Sequence, residues 1–388
     1  MNKLDKVCII AVGYNRPDAI KRLLKSLSCA IYNEEVDLLV SIDKGQRQSE
    51  IKELAENFVW PFGDKYVRAF PERQGLRNHI LQCGDMTNEY KAVVVLEDDI
   101  TVAEGFYEYV RQCLAYCQDN DAVSGISLYK NSILQTSFYF FEPAFDGHDV
   151  FLMQYAQSWG QCWTKRMWSG FKAWYLENVE TYFQPENANL VKIPNNVIEW
   201  DSHSWLKYYI AYTVEANKFF VYPYHSLSTN HSECGQHFSA ANSDYMISTQ
   251  KGLMQYRFPD FDQAIRYDVF FERMNMIIPG YENKVVVFDL YGNKKDFSGA
   301  DILISSAPHP YKVLDTWQLK YRPQEDCCIH QEPGQGIYVY DLKITETPPP
   351  AFADNIRTRY DAKNLSWKRL IQLGMSGFKK ALKSKLKR

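Results

Sequence analysis

The sequence lacks the long apolar runs and leader segments that mark membrane-spanning or exported proteins. No stretch approaches the roughly 18 consecutive apolar residues that a membrane span requires. Residues 1–6 lead directly into a short apolar run, with no hydrophobic leader core and no cleavage site between them. We therefore expect a cytoplasmic protein.

Paired cysteines are also lacking. There are nine cysteines, an odd number, and no CxxC pair occurs among them. A disulfide framework or a zinc ribbon would need paired and regularly spaced cysteines. The spacing favours reduced thiols in a reducing compartment.

Acidic residues are scarce at one end of the chain. Residues 361–388 contain nine Lys or Arg and one acid, a net charge of +8, whereas the preceding residues carry a net charge of −11. An acidic body argues against general binding of nucleic acid. Apolar residues recur at helical spacing from Trp367 to Leu386 between the basic ones, which predicts a basic amphipathic helix on an anionic membrane. A solvated basic tail is the alternative.

Short apolar runs alternate with helical patterns over the first 130 residues. Such runs are typical of a parallel sheet covered by helices on both faces, so the predicted fold class is α/β. In these sheets ligands bind beyond the carboxyl ends of the strands. The predicted strands span residues 7–12, 36–42, 66–69, 92–96 and 122–127. That edge would bring Tyr14-Asn15-Arg16, Asp43 and Glu97-Asp98-Asp99 into one cleft.

The rest of the chain divides by composition. We predict an α/β half at 1–130, an aromatic-rich half at 131–280 with a helix over 261–276, and a small β appendage at 281–346. A proline-rich linker at 347–362 and the basic tail at 363–388 complete the organisation.

The strongest local motif is Glu97-Asp98-Asp99, at the end of the fourth strand. Three adjacent carboxylates repel one another, and a hard cation such as Mg²⁺ or Mn²⁺, shared with donor phosphates, would relieve that repulsion. The alternative is a solvated acidic turn before the next helix.

Two other strand ends carry polar residues. The Asp43 carboxylate could accept hydrogen bonds from a uridine, or it could form a plain Asp-Lys-Gly turn. Asn15 could cap the following helix, with Pro17 in the first helical turn.

These motifs resemble the GT-A glycosyltransferases, with their Rossmann-like mixed sheet flanked by helices. The likeness spans residues 7 to 240. It is closest to the inverting N-acetylglucosaminyltransferase I type and extends to family 2-like bacterial enzymes. It rests on VGYNRP, SIDKG, VVLEDDITVAEGFYEYV, IEWDSHSW and STNHSECGQHF.

The resemblance implies that residues 1–130 form the nucleotide-sugar-binding half and residues 131–280 the acceptor-side, catalytic half. It also implies roles for individual residues on the donor side. Glu97 would contact the donor sugar, Asp98 the ribose and Asp99 a Mn²⁺ or Mg²⁺ ion. His237 would approach the metal or the diphosphate. The other implied donor-binding residues are Tyr14, Asn15, Arg16, Asp43 at the uracil and Arg77 near the nucleotide.

On the acceptor side, inverting transfer needs a carboxylate that takes the proton of the attacking hydroxyl. In Trp200-Asp201-Ser202-His203-Ser204-Trp205 the resemblance selects Asp201 as that base, although the family has an acidic pair at a spacing two residues different. His203 would tune the base, and Trp200 and Trp159 would form acceptor-side walls. Asp201 as a helix cap and the tryptophans as core residues are the alternatives.

The predicted function is transfer of a sugar from a nucleotide-diphosphate donor, with a UDP-sugar favoured, to a glycan or lipid-linked acceptor at the inner face of the plasma membrane. A catalytically inactive sugar-binding module is one alternative. A sugar-nucleotidyltransferase is another, but the first strand lacks the Gly-rich loop with Arg and Lys that this class would need.

Overall fold

A computed structural model describes residues 2–136, 139–187, 191–233 and 245–352, with residues 371, 374 and 375. The chain forms two compact units. The first comprises Met1–Ile277 with Asn293–Asp296, and the second comprises Ile278–Gly292 with Phe297–Arg388. In the part of the chain that the structure describes, no helix is long and apolar enough to cross a membrane.

The described residues of the first unit form eleven strands. They are β1 (Val7–Gly13), β2 (Val36–Ile42), β3 (Lys65–Ala69), β4 (Ala92–Glu97), β5 (Ile100–Val102), β6 (Val123–Ser127), β7 (Val150–Met153), β8 (Gln161–Thr164), β9 (Phe219–Pro223), β10 (Ser228–Asn230) and β11 (Arg266–Tyr267). Nine of them form one sheet in the order β11-β7-β9-β6-β8-β4-β1-β2-β3, and β5 pairs with β10 in a separate antiparallel ribbon.

Within the described ranges, the same unit also contains seven α-helices. They are α1 (Pro17–Ser28), α2 (Gln48–Asn57), α3 (Gly75–Asp85), α4 (Phe106–Tyr116), α5 (Lys165–Asn178), α6 (Asn195–Ile198) and α7 (Leu206–Glu215). Single 3₁₀ turns lie at Lys3–Asp5, Met86–Asn88 and Pro185–Asn187. The predicted α/β class, a large mixed sheet flanked by helices with a small C-terminal β sheet, is confirmed.

The parallel half of the sheet follows directly from the apolar runs. Every residue of β1 and β2 is buried, and β1 pairs in parallel with β2 on one side and β4 on the other. Helix α1 buries one apolar stripe, formed by Ile20, Leu23, Leu24 and Leu27. The sheet is not parallel throughout, because β8 lies between β4 and β6 and is antiparallel to both.

The helix predicted over residues 261–276 is wrong. The backbone N–H groups of Phe270 and Glu272 both donate to the Asp268 carboxylate, and Phe271 has a φ of +66°. A left-handed residue inside an Asp-centred turn cannot continue a helix. The apolar residues that suggested a helix are instead core side chains around β11, which pairs with β7.

The second unit contains a four-stranded sheet. Its strands are β12 (Val286–Asp289), β13 (Ile302–Ser305), β14 (Tyr311–Gln318) and β15 (Gly336–Thr345), in the order β12-β13-β15-β14, with the short helix α8 (Asp326–His330). Leu303, Tyr338 and Tyr340 form the centre of its core. The sequence predicted three of these strands and missed β14, whose exposed and bulged pattern lacks a clear period of two.

Candidate functional site

A cleft opens at the carboxyl ends of β1 and β4, where the order of the sheet reverses. The chain moves outward from β1 to β2 and β3, then returns to place β4 on the other side of β1. Val12 pairs with Glu97 in this register, so the residues after both strands meet. Such a switch point is where open α/β sheets bind ligands. The cleft has a volume of about 390 Å³ and is lined by Val12, Gly13, Tyr14, Asn15, Arg16, Asp43, Arg73, Gly75, Leu76, His79, Glu97, Asp98, Asp99 and Glu233.

The three carboxylates after β4 share this cleft. Asp98 is 4% exposed, and burial raises its pKa to about 6, although the Arg16 guanidinium opposes the shift. Loss of hydration, followed by repulsion from Asp99 and Asp98, raises the pKa of Glu97 well above its usual value. Among the described residues, Asp98 Oδ2 and Asp99 Oδ1 have no hydrogen-bond partner. Buried carboxylate oxygens without partners are unfavourable, so these two atoms indicate a place for a cation.

Arg16 is the counter-ion of this group. Its Nη2 donates to Asp98 Oδ1 and lies 3.7 Å from Asp99 Oδ2. Pro17 is the first residue of α1, as predicted, but Arg16 is the N-cap residue and makes no side-chain capping bond. The predicted cap at Asn15 is wrong, because Asn15 Oδ1 accepts a hydrogen bond from the Arg47 backbone N–H at 3.1 Å.

Tyr14 and Asn15 line the same cleft and pack tightly against the loop after β2. A side chain at Gly45 would begin within 3 Å of both of them, so only glycine fits there. Arg73 lies over the Tyr14 ring at 5.3 Å from its centroid. This wall therefore presents an aromatic face and a guanidinium to the cleft.

Asp43 has a structural task inside the cleft. Its Oδ1 accepts hydrogen bonds from the backbone N–H groups of Lys44 and Gln74, each at 2.7 Å, and its Oδ2 accepts one from Gly75 at 2.9 Å. The carboxylate therefore holds the start of α3 against the end of β2. Sequence reasoning anticipated a turn within Asp-Lys-Gly but not the distant tie to Gly75.

Arg77 is not among the residues that line this cleft. Its guanidinium donates to the Ser202 carbonyl oxygen and, at 3.4 Å, to the Tyr175 hydroxyl, and it lies over the Tyr208 ring. These contacts join α3 to the segment that carries Asp201. The place of Arg77 near a nucleotide stays a prediction.

Asp201 and His203 lie on the surface of that segment. Their side chains are 62% and 83% exposed, with His203 Nδ1 3.3 Å from Asp201 Oδ1. Asp201 Oδ1 also accepts a hydrogen bond from the His203 backbone N–H at 2.5 Å. Trp200 is half-buried, and its carbonyl oxygen accepts from Lys207 Nζ at 3.1 Å. None of these three residues lines the described cleft.

Trp159 lies on the same sheet edge as the acidic motif. It immediately precedes Gly160 and β8, and Gln161 of β8 pairs with Val95 of β4. Its half-buried ring packs against Tyr129 and Tyr245, with centroids 4.7 and 4.6 Å away. The antiparallel course of β8 therefore brings this aromatic group next to the carboxyl end of β4.

Residues that the sequence did not single out complete the acidic side of the cleft. The backbone N–H of His231 donates to the Asp99 carbonyl oxygen at 2.8 Å, and its Nε2 lies 3.0 Å from Thr101 Oγ1. Glu233 lines the cleft and binds Arg22 through both oxygens, at 2.6 and 3.0 Å. The only sequence feature that could have indicated His231 and Glu233 is their place in the STNHSECGQHF stretch. His237, also predicted there, lies outside the described residues.

A buried network under the cleft was also missed. Arg68 donates to Ser41 Oγ at 3.0 and 2.9 Å, and Ser41 Oγ lies 2.6 Å from His79 Nε2. The Ser41 hydroxyl accepts from Arg68, and it can either donate to His79 Nε2 or accept from it. Burial lowers the pKa of His79 to about 4.

The cleft fits a divalent cation that is shared with a phosphate ligand. Its lining carries five carboxylates and two guanidinium groups, so an anionic ligand meets a negative surface. The described residues include no group of three or more His, Cys, Asp or Glu placed to hold a metal by themselves. Mg²⁺ and similar ions are commonly held by one or two carboxylates, with the remaining positions filled by substrate phosphates and water. Asp99 and its neighbour Asp98 meet that requirement.

Comparison with known proteins gives no family assignment. No protein-family model and no curated protein matches the chain. Residues 1–349 of Staphylococcus aureus TarS in complex with UDP-GlcNAc match at 14% identity and a TM-score of 0.38, covering 61% of each chain. The chain therefore spans less than two thirds of that structure.

Two other solved structures match over different shares. The mannosyltransferase PcManGT from Pyrobaculum calidifontis, in complex with GDP-Man and Mn²⁺, is 14% identical over 44% of this chain and 46% of that chain, with a TM-score of 0.30. Mouse xyloside xylosyltransferase 1 is 9% identical over 55% and 84%, with a TM-score of 0.35. TM-scores this far below 0.5 leave the function to be inferred from the cleft itself.

Proposed function

We propose that the chain is a metal-dependent glycosyltransferase that moves a sugar from a nucleotide-diphosphate donor to a hydroxyl acceptor. The observation that supports this most is the pair of unpartnered oxygens, Asp98 Oδ2 and Asp99 Oδ1, in an acidic cleft at the switch point of the sheet. A cation bound there would offset the repulsion between a diphosphate and the carboxylates of the cleft. A Mn²⁺ or Mg²⁺ ion bound there would stabilise the diphosphate leaving group.

The donor would lie along the cleft from β2 to β4. Tyr14, Asn15 and Asp43 are assigned to the nucleotide end, with a uridine favoured. Glu97 is assigned to the donor sugar, Asp98 to the ribose and Asp99 to the metal. The order of these residues along the sheet edge supports the assignment, since β2, β1 and β4 are adjacent. Arg77 is assigned to a place near the nucleotide, and its guanidinium contacts the Ser202 carbonyl oxygen.

The acceptor would approach from the side of Trp159 and Trp200, with Asp201 as the base of an inverting transfer and His203 beside it. The short distance between His203 Nδ1 and Asp201 Oδ1 supports a tuned carboxylate. A glycan or lipid-linked acceptor in cell-surface polysaccharide synthesis would suit the basic tail, which would hold the cytoplasmic enzyme at the inner face of the plasma membrane. Apart from residues 371, 374 and 375, that tail lies outside the described residues.

Donor binding is tested first with a thermal-shift panel of UDP-, GDP- and CMP-sugars, each with Mn²⁺ and with chelator. A ligand that binds only the folded state raises the unfolding temperature by mass action. We expect one nucleotide class to stabilise the protein, and only with the metal. Stabilisation by none of the donors, or equal stabilisation in chelator, would refute metal-dependent donor binding.

A catalytically inactive donor-binding module is the second candidate. The exposure of Asp201 and its absence from the described cleft favour it. Release of free nucleotide diphosphate from the bound donor, in the presence of simple glycan and lipid-linked acceptors, separates the two. An enzyme releases it over many turnovers, whereas a module binds the donor and releases none.

A further inference from the structure

Arg16 contacts both Asp98 and Asp99, the two aspartates whose charge a metal would neutralise. Its Nη2 contacts Asp98 Oδ1 and lies 3.7 Å from Asp99 Oδ2, while the other oxygen of each carboxylate has no hydrogen-bond partner among the described residues. One guanidinium thus serves two largely buried carboxylates and leaves half of their oxygens unsatisfied. A single positive charge cannot balance two negative ones.

A divalent cation would neutralise this pair better than Arg16 does. It carries two charges, and it is small enough to approach oxygens at 2.0–2.2 Å, roughly the distance seen for hard ions of this size. A guanidinium beside it would then repel it, since the two cations would lie only a few ångströms apart in a partly buried site. Metal and Arg16 therefore compete for the same carboxylates.

We propose that Arg16 is an exchangeable counter-ion: it neutralises Asp98 and Asp99 in the ligand-free protein, and it moves to the diphosphate of the donor when a divalent cation takes its place. This inference rests on the proposed function, because it needs a metal-bound diphosphate in the cleft.

The anchoring of Arg16 allows such a movement. Its backbone is fixed at the start of α1, where its carbonyl oxygen accepts from the Ile20 N–H at 3.1 Å. Beyond that point its side chain is tied to the carboxylates of Asp98 and Asp99 and is partly exposed to the cleft. A guanidinium binds phosphate oxygens in the same two-pronged way as carboxylate oxygens, so rotation of the side chain exchanges one anion for the other.

Competition of this kind gives opposite effects on the two ligands. Without Arg16 the metal no longer displaces a bound cation, so its affinity for the free protein rises. The diphosphate loses one charge-assisted contact, so its affinity for the metal-loaded protein falls. A residue with a purely structural role would lower both affinities together.

The test compares wild type with Arg16→Gln in two titrations. Free Mn²⁺ is followed by its electron paramagnetic resonance signal without nucleotide, and UDP binding is then measured by calorimetry at saturating Mn²⁺. We expect Arg16→Gln to bind Mn²⁺ about tenfold more tightly and UDP about tenfold more weakly, the scale of one hydrogen bond to a charged group.

Arg73→Gln is the matched control for charge alone. Arg73 lines the same cleft, so its loss removes the same unit charge and leaves the Asp98–Arg16 contact in place. If only the net charge of the cleft determines Mn²⁺ binding, both variants should gain equally in Mn²⁺ affinity. That result would overturn the exchange. The exchange predicts a gain several times larger for Arg16→Gln.

Thermal unfolding supplies a readout that needs neither nucleotide nor turnover. In chelator, Arg16→Gln leaves Asp98 buried without its counter-ion and should unfold at a lower temperature than wild type. Saturating Mn²⁺ should then raise its unfolding temperature by more than it raises that of wild type. If Arg16→Gln does not fold in chelator, Arg16→Lys is used in its place. Its Mn²⁺ affinity should lie between the wild-type value and the value expected for Arg16→Gln.

Equal losses of Mn²⁺ and UDP affinity in Arg16→Gln, or an unchanged Mn²⁺ affinity, overturn the exchange. If wild type still binds UDP with Mn²⁺ in that case, the proposed function stands. If wild type binds no nucleotide diphosphate with any divalent cation, the proposed function fails and the inference fails with it.

Discussion

The carboxylate of Asp43, at the end of one strand, holds the backbone of Gly75 at the start of a helix 32 residues later. Oδ2 accepts the Gly75 N–H at 2.9 Å, while Oδ1 accepts those of Gln74 and Lys44. Asp43 and Gly75 both line the cleft. A residue assigned to the nucleotide by resemblance is therefore also part of the framework that shapes the cleft.

Asp43→Asn should consequently weaken both folding and donor binding. An amide keeps one accepting oxygen but replaces the other by a donor that faces the Gly75 or Gln74 N–H. The lost bonds lower the free energy of unfolding by about 1–3 kcal/mol. Urea unfolding and donor titration of the same sample measure both effects. A variant with unchanged stability and lost donor binding would show that Asp43 acts on the ligand alone.

Asp99→Ala should remove the metal dependence of donor binding and abolish turnover, with the fold intact. Asp99 is the less buried aspartate of the pair, and Arg16 keeps its contact with Asp98 when Asp99 is lost, so no buried cation is left unpaired. We expect donor affinity with Mn²⁺ to fall about a hundredfold, to the value in chelator. Asp262→Ala, which removes a fully exposed acid, is the control. Full turnover of Asp99→Ala, or of wild type in excess chelator, would contradict the metal site.

The cleft at the ends of β1, β2 and β4 could be predicted from the sequence because its parts are local. β1, β2 and β4 are apolar runs that end abruptly in polar residues, and parallel strands place such ends at one edge. The meeting of Tyr14, Asp43 and Asp99 in one cleft follows from that rule alone.

Other features depend on long-range pairing that leaves no local pattern. Glu233 reaches the cleft and His231 contacts Asp99 because β5 pairs with β10, and these two strands of three residues each are too short to show a period. The Asn15 side chain follows a helix-cap pattern, yet it binds the backbone of Arg47, because Gly45 brings that loop within reach. Arg77 lies two residues after Gly75 on α3, and its guanidinium donates to the Ser202 carbonyl oxygen and lies over the Tyr208 ring.

His79 should make the stability of the fold depend on pH between about 4 and 6.5. Burial lowers its pKa to about 4 in the folded protein, so the unfolded chain binds more protons in this window. The His79 contribution is complete above pH 6.5 and is lost as the pH falls toward 4, by up to about 3 kcal/mol. Asp98 acts in the opposite direction, because its raised pKa favours proton uptake by the folded state.

Comparison with His79→Gln isolates the histidine from Asp98. The free energy of unfolding is measured by urea unfolding for wild type and His79→Gln at pH 7.5 and pH 4.5. Wild type should lose more of its stability between the two pH values than His79→Gln does. Because Asp98 is present in both proteins, its effect cancels. A difference that does not change with pH would show that His79 is protonated in the folded state.

The basic tail should hold the protein on anionic membranes. Residues 361–388 carry a net charge of +8, and each Lys or Arg near an anionic surface contributes about 1 kcal/mol. We expect the full chain to sediment with phosphatidylserine-containing vesicles at low salt, and a truncation at Lys363 to stay in the supernatant. A full-length variant with Lys379, Lys380 and Lys383 changed to Glu separates charge from tail length. Equal sedimentation of all three proteins would exclude the tail as the tether.

Asp201→Asn provides the sharpest separation between an enzyme and a binding module. Asparagine keeps the oxygen that accepts the His203 backbone N–H, so the surface turn should survive, but it cannot take a proton from the acceptor. A base acts in the transition state, so kcat should fall by about 10²–10⁴-fold while the donor Kd is unchanged. Glu199→Gln, two residues away and also exposed, is the matched control and should retain full turnover. If Glu199→Gln loses turnover and Asp201→Asn does not, the base is Glu199. If donor binding collapses in Asp201→Asn, its carboxylate serves the donor site and the base lies elsewhere.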